Sequence, residues 1–224
     1  MITSIGEILI DRFESDSGVT NALGGAPFNV AVAIKRSGGK SSFVGAVGKD
    51  DFGSFIKQNA AKLGLNHLHI EELEGRPTTI ALVKLNNGER SFTFLRDNAA
   101  DYQLSFPLPD FVDESNIVHI GSLMLSEEEG REFVDKLIKH LKEKNILISF
   151  DINYREDIFK GRHDIADIYK HVIDQIDILK ISDEEIPIFG EEYINSLKNK
   201  LICLSLGSKG SVDWFHFNRR NKTF

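Results

Sequence analysis

Continuous apolar runs rather than alternating ones mark most of the strand-like segments of this chain, at 2–11, 41–47, 117–120, 146–151, 176–181 and 201–206. Runs of that kind suit strands buried on both faces, as in a parallel sheet. Between them, at 27–37, 52–63, 127–144 and 165–175, apolar residues recur every three or four positions. That spacing predicts helices with one apolar face. From Ile117 onward strand and helix patterns alternate regularly, which predicts successive βα units. Further helical stretches are expected at 182–189 and 191–200, and a last strand at 212–217. Two segments depart from this rhythm. Residues 12–23 are polar with scattered apolar positions and read as an excursion from the main sheet. Residues 78–85 and 90–95 alternate apolar and polar around Asn86-Asn87-Gly88-Glu89, a tight hairpin signal. An antiparallel hairpin inserted early in an α/β chain is a candidate lid.

The run 2–11 is read as one buried strand, broken in pattern by Gly6 and Glu7, that delivers Asp11 at or just past its C-terminal end. Ligands of open α/β sheets bind beyond those ends. The next segment, Gly24-Gly25-Ala26-Pro27-Phe28-Asn29-Val30-Ala31, is a glycine-rich turn running into a helix. Adjacent glycines leave room for a ligand against the main chain. Pro27 suits a first helical turn, whose free N–H groups and positive dipole end face whatever lies above Gly24 and Gly25. Asn29 can present its amide at the same place. The plainer reading is a tight strand-to-helix connection.

Composition limits the alternatives. The chain has 224 residues, 41% hydrophobic and 27% charged, enough for one α/β domain with a small appendage. A net charge of −7 argues against a nucleic-acid partner, and means that phosphorylated ligands would call for a divalent cation. The one cysteine, Cys203, falls in the run 201–206 and reads as a buried strand residue. There is no basic leader and no run of 18 apolar residues, so cytoplasmic residence without a membrane partner is expected.

Four other clusters bear on chemistry. Gly39-Lys40-Ser41 is not a Walker A loop, because the position five before Gly39 is Ile34 and the Gly-Gly pair follows a helix pattern and precedes a strand. Asp151-Ile152-Asn153-Tyr154-Arg155 follows a buried strand and puts a carboxylate, an amide and a guanidinium at the ligand-binding rim, against the plainer reading of a turn cap and a surface charge. Ser182-Asp183-Glu184-Glu185 has capping-box spacing, with Ser182 at the N-cap; an acidic helix start there could also hold a hydrated Mg²⁺. The turn Ser205-Leu206-Gly207-Ser208-Lys209-Gly210 could wrap a phosphate or adenine. Arg96, with Asn98 and Asp101 behind it, reads alone as a surface arginine, and His119 as a satisfied core histidine.

Five stretches together carry a family resemblance: 6–11, 24–31, Gly45-Ala46-Val47-Gly48-Lys49-Asp50-Asp51-Phe52-Gly53, Phe150-Asp151-Ile152-Asn153-Tyr154-Arg155, and Leu206-Gly207-Ser208-Lys209-Gly210. In that order they resemble the ribokinase-like, PfkB-type carbohydrate kinases, most closely the fructokinase and 2-keto-3-deoxygluconate kinase branch. The resemblance implies a three-layer α/β fold, a doubly wound and mainly parallel sheet with a small antiparallel β lid formed by insertions at about 12–23 and 76–96. It implies one kinase-like domain over 1–224 that uses ATP and Mg²⁺ to phosphorylate a primary hydroxyl of a sugar. Asp11, Gly24, Gly25 and Asn29 would then bind the sugar with Arg96, and Asn153 and Arg155 would lie near sugar and phosphates. Lys180, Ser182, Ser205, Gly207 and Gly210 would border the nucleotide, and Glu185 would help place Mg²⁺ through water. Pairing of two lids in a homodimer is also implied. The family's Gly-Ala-Gly-Asp signature, which carries the general base and the anion hole, occurs nowhere in these residues, so the resemblance puts the base beyond Phe224 and assigns no catalytic residue within the chain. The expectation is therefore a C-terminally incomplete kinase whose 224 residues lack the base, with a non-catalytic sugar-binding or regulatory protein as the alternative.

Overall fold

Strand β1 (Ile2–Ile5) lies inside an eight-stranded sheet and is flanked by β4 (Ser41–Gly48) and β8 (Ile117–Ile120), both parallel to it. The computed structural model describes residues 1–15, 18–86, 89–159 and 161–215. Beyond β8 come β9 (Leu147–Asp151), β10 (Ile178–Ser182) and β11 (Leu201–Ser205), all parallel, and then β12 (Ser211–Phe215), antiparallel to β11. Strand β12 is the expected last strand. Its anticipated positions 216 and 217 lie outside the described residues, as does Phe224, the position past which the family base is expected. Beyond β4 the sheet ends in β5 (His67–Leu73), also parallel. The chain thus fills one side of β1 first and the other side later. The switch between β1 and β8 opens a crevice at the strand ends.

A second, four-stranded sheet is ordered β3 (Gly18–Gly24), β2 (Leu9–Ser15), β6 (Ile80–Asn86), β7 (Glu89–Leu95). The alternating segments near 78–95 form its β6–β7 antiparallel pair; positions 87 and 88 of the expected hairpin turn lie outside the described residues. The run 2–11 is not one strand. Gly6 has φ +146°, a conformation closed to other residues, and there the chain leaves the main sheet for the small one. Asp11 is consequently the third residue of β2, paired with Ala22 and Ala81, rather than the end of β1. Strand β5 was not anticipated, because an edge strand half open to solvent does not show the buried run that marks its neighbours.

Helices α1 (Ala26–Arg36) and α2 (Asp51–Ala61) pack on the β1–β4–β5 side, where Phe28, Phe43, Val47 and Ile56 share a core. Helices α3 (Glu128–Glu143) and α4 (Ile165–Ile173), followed by the short α5 (Ile186–Phe189) and α6 (Glu191–Ser196), build the larger core against Ile148, Phe150, Leu179, Ile181 and Ile202. Every residue of β4 is buried, whereas β9, β10 and β11 bury alternate residues only. Their other face, carrying Ser149, Asp151, Lys180 and Cys203, is half-buried; Cys203 therefore is not the core residue its apolar run implies. Its thiol is pushed up by burial and by the neighbouring Asp213.

Asp50 joins the two layers. It caps α2 by accepting from Gly53 N–H at 2.7 Å, and it accepts from Thr78 N–H at 2.8 Å and Thr78 Oγ1 at 2.7 Å at the root of β6. Burial works to raise its pKa, but these donors outweigh it and hold the carboxyl below its ordinary 3.8. Asp50→Ala is expected to cost about 1–2 kcal/mol. Its sign with pH is fixed: a depressed carboxyl contributes above its unfolded pKa and loses that contribution as pH falls through the folded one. The melting-temperature gap between wild type and Asp50→Ala should therefore close on acidification below about pH 4, and a gap constant from about pH 7 to about pH 2.5 would contradict this.

Candidate active site

Each glycine of the Gly24-Gly25 pair has its own task. A Cβ on Gly24 would fall 2.6 Å from the Asp11 carboxyl, so the missing side chain lets Asp11 lie across the turn. Gly25 is the N-cap of α1 with φ +108° and ψ 122°, and a Cβ there would fall 2.3 Å from the Glu7 carbonyl oxygen. Helix α1 starts without a side-chain cap. Its Ala26 N–H instead donates to Glu7 Oε1 at 3.3 Å, and Asn29, one turn on, is exposed.

Above this turn lies a cavity of about 250 Å³. Asp11, Gly25 and Asn29 line it from the turn side, together with Glu7. Asn153 and Arg155 line it from the segment after β9, with Arg155 donating to Asn153 Oδ1 at 2.9 Å. Leu9, Ala81 and Phe94 of the small sheet and Leu123 of the main body supply apolar walls. The cavity thus spans the crevice between the sheets, with polar groups converging from both sides. A second cleft, of about 430 Å³, is lined by Ser182 and Asp183 at the end of β10 and by Ser205, Gly207 and Lys209 at the end of β11. Ser182 pairs with Ser205 in register, and Asp183 N–H donates to Ser205 O at 3.1 Å. The turn beyond is closed by Leu206 N–H to Gly210 O at 2.8 Å, with Gly207 at φ 56° and Gly210 at φ 96°.

The structure places some expected residues elsewhere. Gly24 backs Asp11 and does not line the cavity. Lys180 pairs with Asp151 at 3.1 Å, away from both clefts' linings, and that ion pair opposes the burial that raises the Asp151 carboxyl. Arg96 is neither on the surface nor in the cavity lining. Its guanidinium is buried, donating to Asp101 Oδ2 at 2.9 Å, to Ser126 Oγ at 2.6 Å and to Leu123 O at 3.1 Å, and it lies over the Tyr102 ring. The chain leaving β7 must return onto the Leu123–Ser126 turn, and the arginine fork spans that junction.

The capping box forms in part. Glu185 Oε2 accepts from Ser182 N–H at 2.8 Å, yet Ser182 ends β10 and α5 starts only at Ile186. Glu185 Oε1 accepts from Tyr154 N–H at 2.8 Å, tying the ends of β9 and β10 together. His119 is only half satisfied: Nδ1 meets Ser149 Oγ at 3.1 Å while Nε2 has no partner among the described residues, and burial beside Lys180 pushes its pKa down to about 4.

Comparison with known proteins gives the family of the chain that carries these two clefts. Residues 1–213 match the model of the pfkB family carbohydrate kinases. The chain is 34% identical to fructokinase-2 of Solanum lycopersicum, over 94% of this chain and 70% of that protein. The chain belongs to the pfkB carbohydrate kinase family. Its backbone also matches a sugar kinase of Pyrococcus horikoshii crystallised in complex with ATP, with a TM-score of 0.86 and 34% identity over 96% of this chain and 74% of that one. A fructokinase of Vibrio cholerae O395, in a form bound to fructose, ADP and calcium, matches with a TM-score of 0.83 and 29% identity over 96% and 73%.

In this kinase the polar residue that sequence reasoning missed is Glu7. The only signal was a glutamate inside an apolar run, read as a break in a strand. It is fully buried, and burial, with the nearby Asp101 acting in the same direction, pushes its pKa up to about 8 against the hydrogen bonds and Arg96 that oppose it. A bound magnesium ion finds no cage here: among the described residues no group of three or more His, Cys, Asp or Glu is arranged to hold a metal, and both Glu185 oxygens already accept backbone bonds.

Proposed function

We propose that the 250 Å³ cavity binds a sugar of the fructose type and that the cleft beyond β10 and β11 binds ATP, the pair serving transfer of the γ-phosphoryl group to a primary hydroxyl. The observation that carries this reading is the convergence of Asp11, Gly25, Asn29, Asn153 and Arg155 on one small cavity. These residues come from separate stretches of chain, and the cavity is at the small end of ligand sites, the scale of a monosaccharide. Asp11 and Asn29 offer the acceptors and donors that hydroxyl groups need, beside an apolar wall of Leu9, Ala81 and Phe94. Ser182, Ser205 and Gly207 meet at the second cleft. Mg²⁺ would arrive with the nucleotide and neutralise phosphate charge, with Glu185 acting at most through water.

Phosphoryl transfer relies on positioning, charge stabilisation and a proton acceptor. No Gly-Ala-Gly-Asp sequence stands between Met1 and Phe224, and we read the base and the anion hole as not supplied by these residues. Loss of a single oxyanion donor costs ~10²–10³ in rate, so a chain without both should bind sugar yet turn over barely at all. Cytoplasmic residence and pairing through the small sheet, as a lid, belong to the same reading.

Calorimetry with fructose, ribose and 2-keto-3-deoxygluconate, beside an ADP-release assay with ATP and Mg²⁺, tests it. Fructose binding without measurable turnover is expected, and Asp11→Asn should weaken that binding about 10–100-fold. Turnover at ~1–100 s⁻¹, ordinary for kinases, would overturn the assignment of the base to other sequence. Failure of every sugar to bind would overturn the pocket.

A further inference from the structure

Glu7 is wedged between two glycines beneath the start of α1. Its carbonyl oxygen sits where a Gly25 side chain would begin, and its Oε2 sits where a Gly121 Cβ would be. Oε1 accepts from Ala26 N–H, while Oε2 has no partner among the described residues. The residue is sealed from solvent yet borders the cavity that holds Asp11 and Asn29. A carboxylate with one oxygen unpaired in such a place would leave a charge both buried and uncompensated. A carboxylic acid fits it, because one oxygen serves the helix and the other keeps the proton.

We propose that Glu7 is a positioning residue of the sugar pocket that works as a neutral acid, fixing Ala26 and so the turn that sets Gly25 and Asn29. This rests on the sugar reading of the cavity. The groups facing Glu7 agree with it. Burial pushes its pKa up to about 8, with Asp101 acting in the same direction, against its backbone hydrogen bonds and Arg96; Tyr169 also senses its charge, and Asp11 and Arg155 share its cavity. Above that pH the floor of the pocket must either hold a bare charge or open to hydrate it. Either outcome displaces the residues that meet the sugar.

The test compares wild type with Glu7→Gln, whose amide keeps an acceptor for Ala26 N–H and cannot ionise. Fructose affinity of the wild type should fall about tenfold between about pH 7 and about pH 9.5, while the variant, a few-fold weaker at neutral pH, should stay level. Equal slopes in the two proteins would overturn the proposal. Thermal melts give an arm that does not depend on sugar. A carboxyl raised from an ordinary 4.5 to about 8 contributes its stability fully below the lower value and loses it as pH rises to the upper. The wild type should therefore lose ground to the variant between about pH 5 and about pH 8 and run parallel above. A pH-independent gap would show Glu7 to be ionised and refute the neutral acid, whereas that trend with no sugar bound at any pH would count against the sugar reading alone.

Discussion

Replacing Gly25 by alanine is expected to abolish sugar binding and to lower the melting temperature by roughly 6–12 °C, corresponding to about 3 kcal/mol in a chain of this size. Two costs combine. The backbone at φ +108° and ψ 122° lies where residues with a side chain rarely go, which is worth ~1–3 kcal/mol. The added methyl would also stand 2.3 Å from the Glu7 carbonyl oxygen, a contact that backbone alone can relieve, and overpacking of this kind costs ~1–3 kcal/mol more. Relief must move either the end of the segment leaving β1 or the start of α1, and both carry pocket residues. Gly38→Ala is the matched comparison: φ is +84°, but nothing lies within 4 Å of the new methyl. It should lose stability by ~1 kcal/mol from strain and keep sugar affinity. If Gly25→Ala melted with wild type and bound fructose, the turn would not be the pocket floor.

Arg96→Met is the second large effect, with an expected loss of about 3–5 kcal/mol. Asp101 is completely buried, and besides Arg96 its side chain meets Thr79 Oγ1 at 2.6 Å. Taking away the guanidinium leaves that charge in the core with a neutral hydroxyl for company. Methionine retains much of the apolar stem, so the loss would report charge more than volume. Urea denaturation of Arg96→Met, Asp101→Leu and the double variant decides the matter. The double variant should recover most of the loss, since a buried pair replaced on both sides by apolar groups is commonly neutral. Additive losses across the cycle would mean that the two residues act independently.

The main sheet apart from β5 was legible because parallel strands between helices leave long apolar runs, and α3 and α4 because their polar and apolar faces separate cleanly. Asp11, Gly25, Asn29, Asn153 and Arg155 were singled out through motif resemblance, and in the structure all five line one cavity. Other features were not. The course of 2–11 was lost because a single glycine with positive φ moves the chain between sheets, and nothing in hydropathy distinguishes Gly6 from a glycine within a strand. Arg96 and Lys180 stand outside both cleft linings, which sequence does not reveal because the fold gives each a nearer carboxylate. Glu7 was overlooked because a glutamate in an apolar run reads as an interruption until its surroundings show it buried and half-paired.

The root of the small sheet is fastened at two places. Asp50 grips Thr78 at the base of β6, and Arg96, just past β7, is bolted to Asp101 and the Leu123–Ser126 turn while Thr79 joins Asp101. A sheet held in that way behaves as a cantilever clamped at its base. Among the described residues these bonds hold the base of β6 and β7 to the main body, so movement of the sheet over the cavity is expected to be larger at its outer ends than beside Ala81.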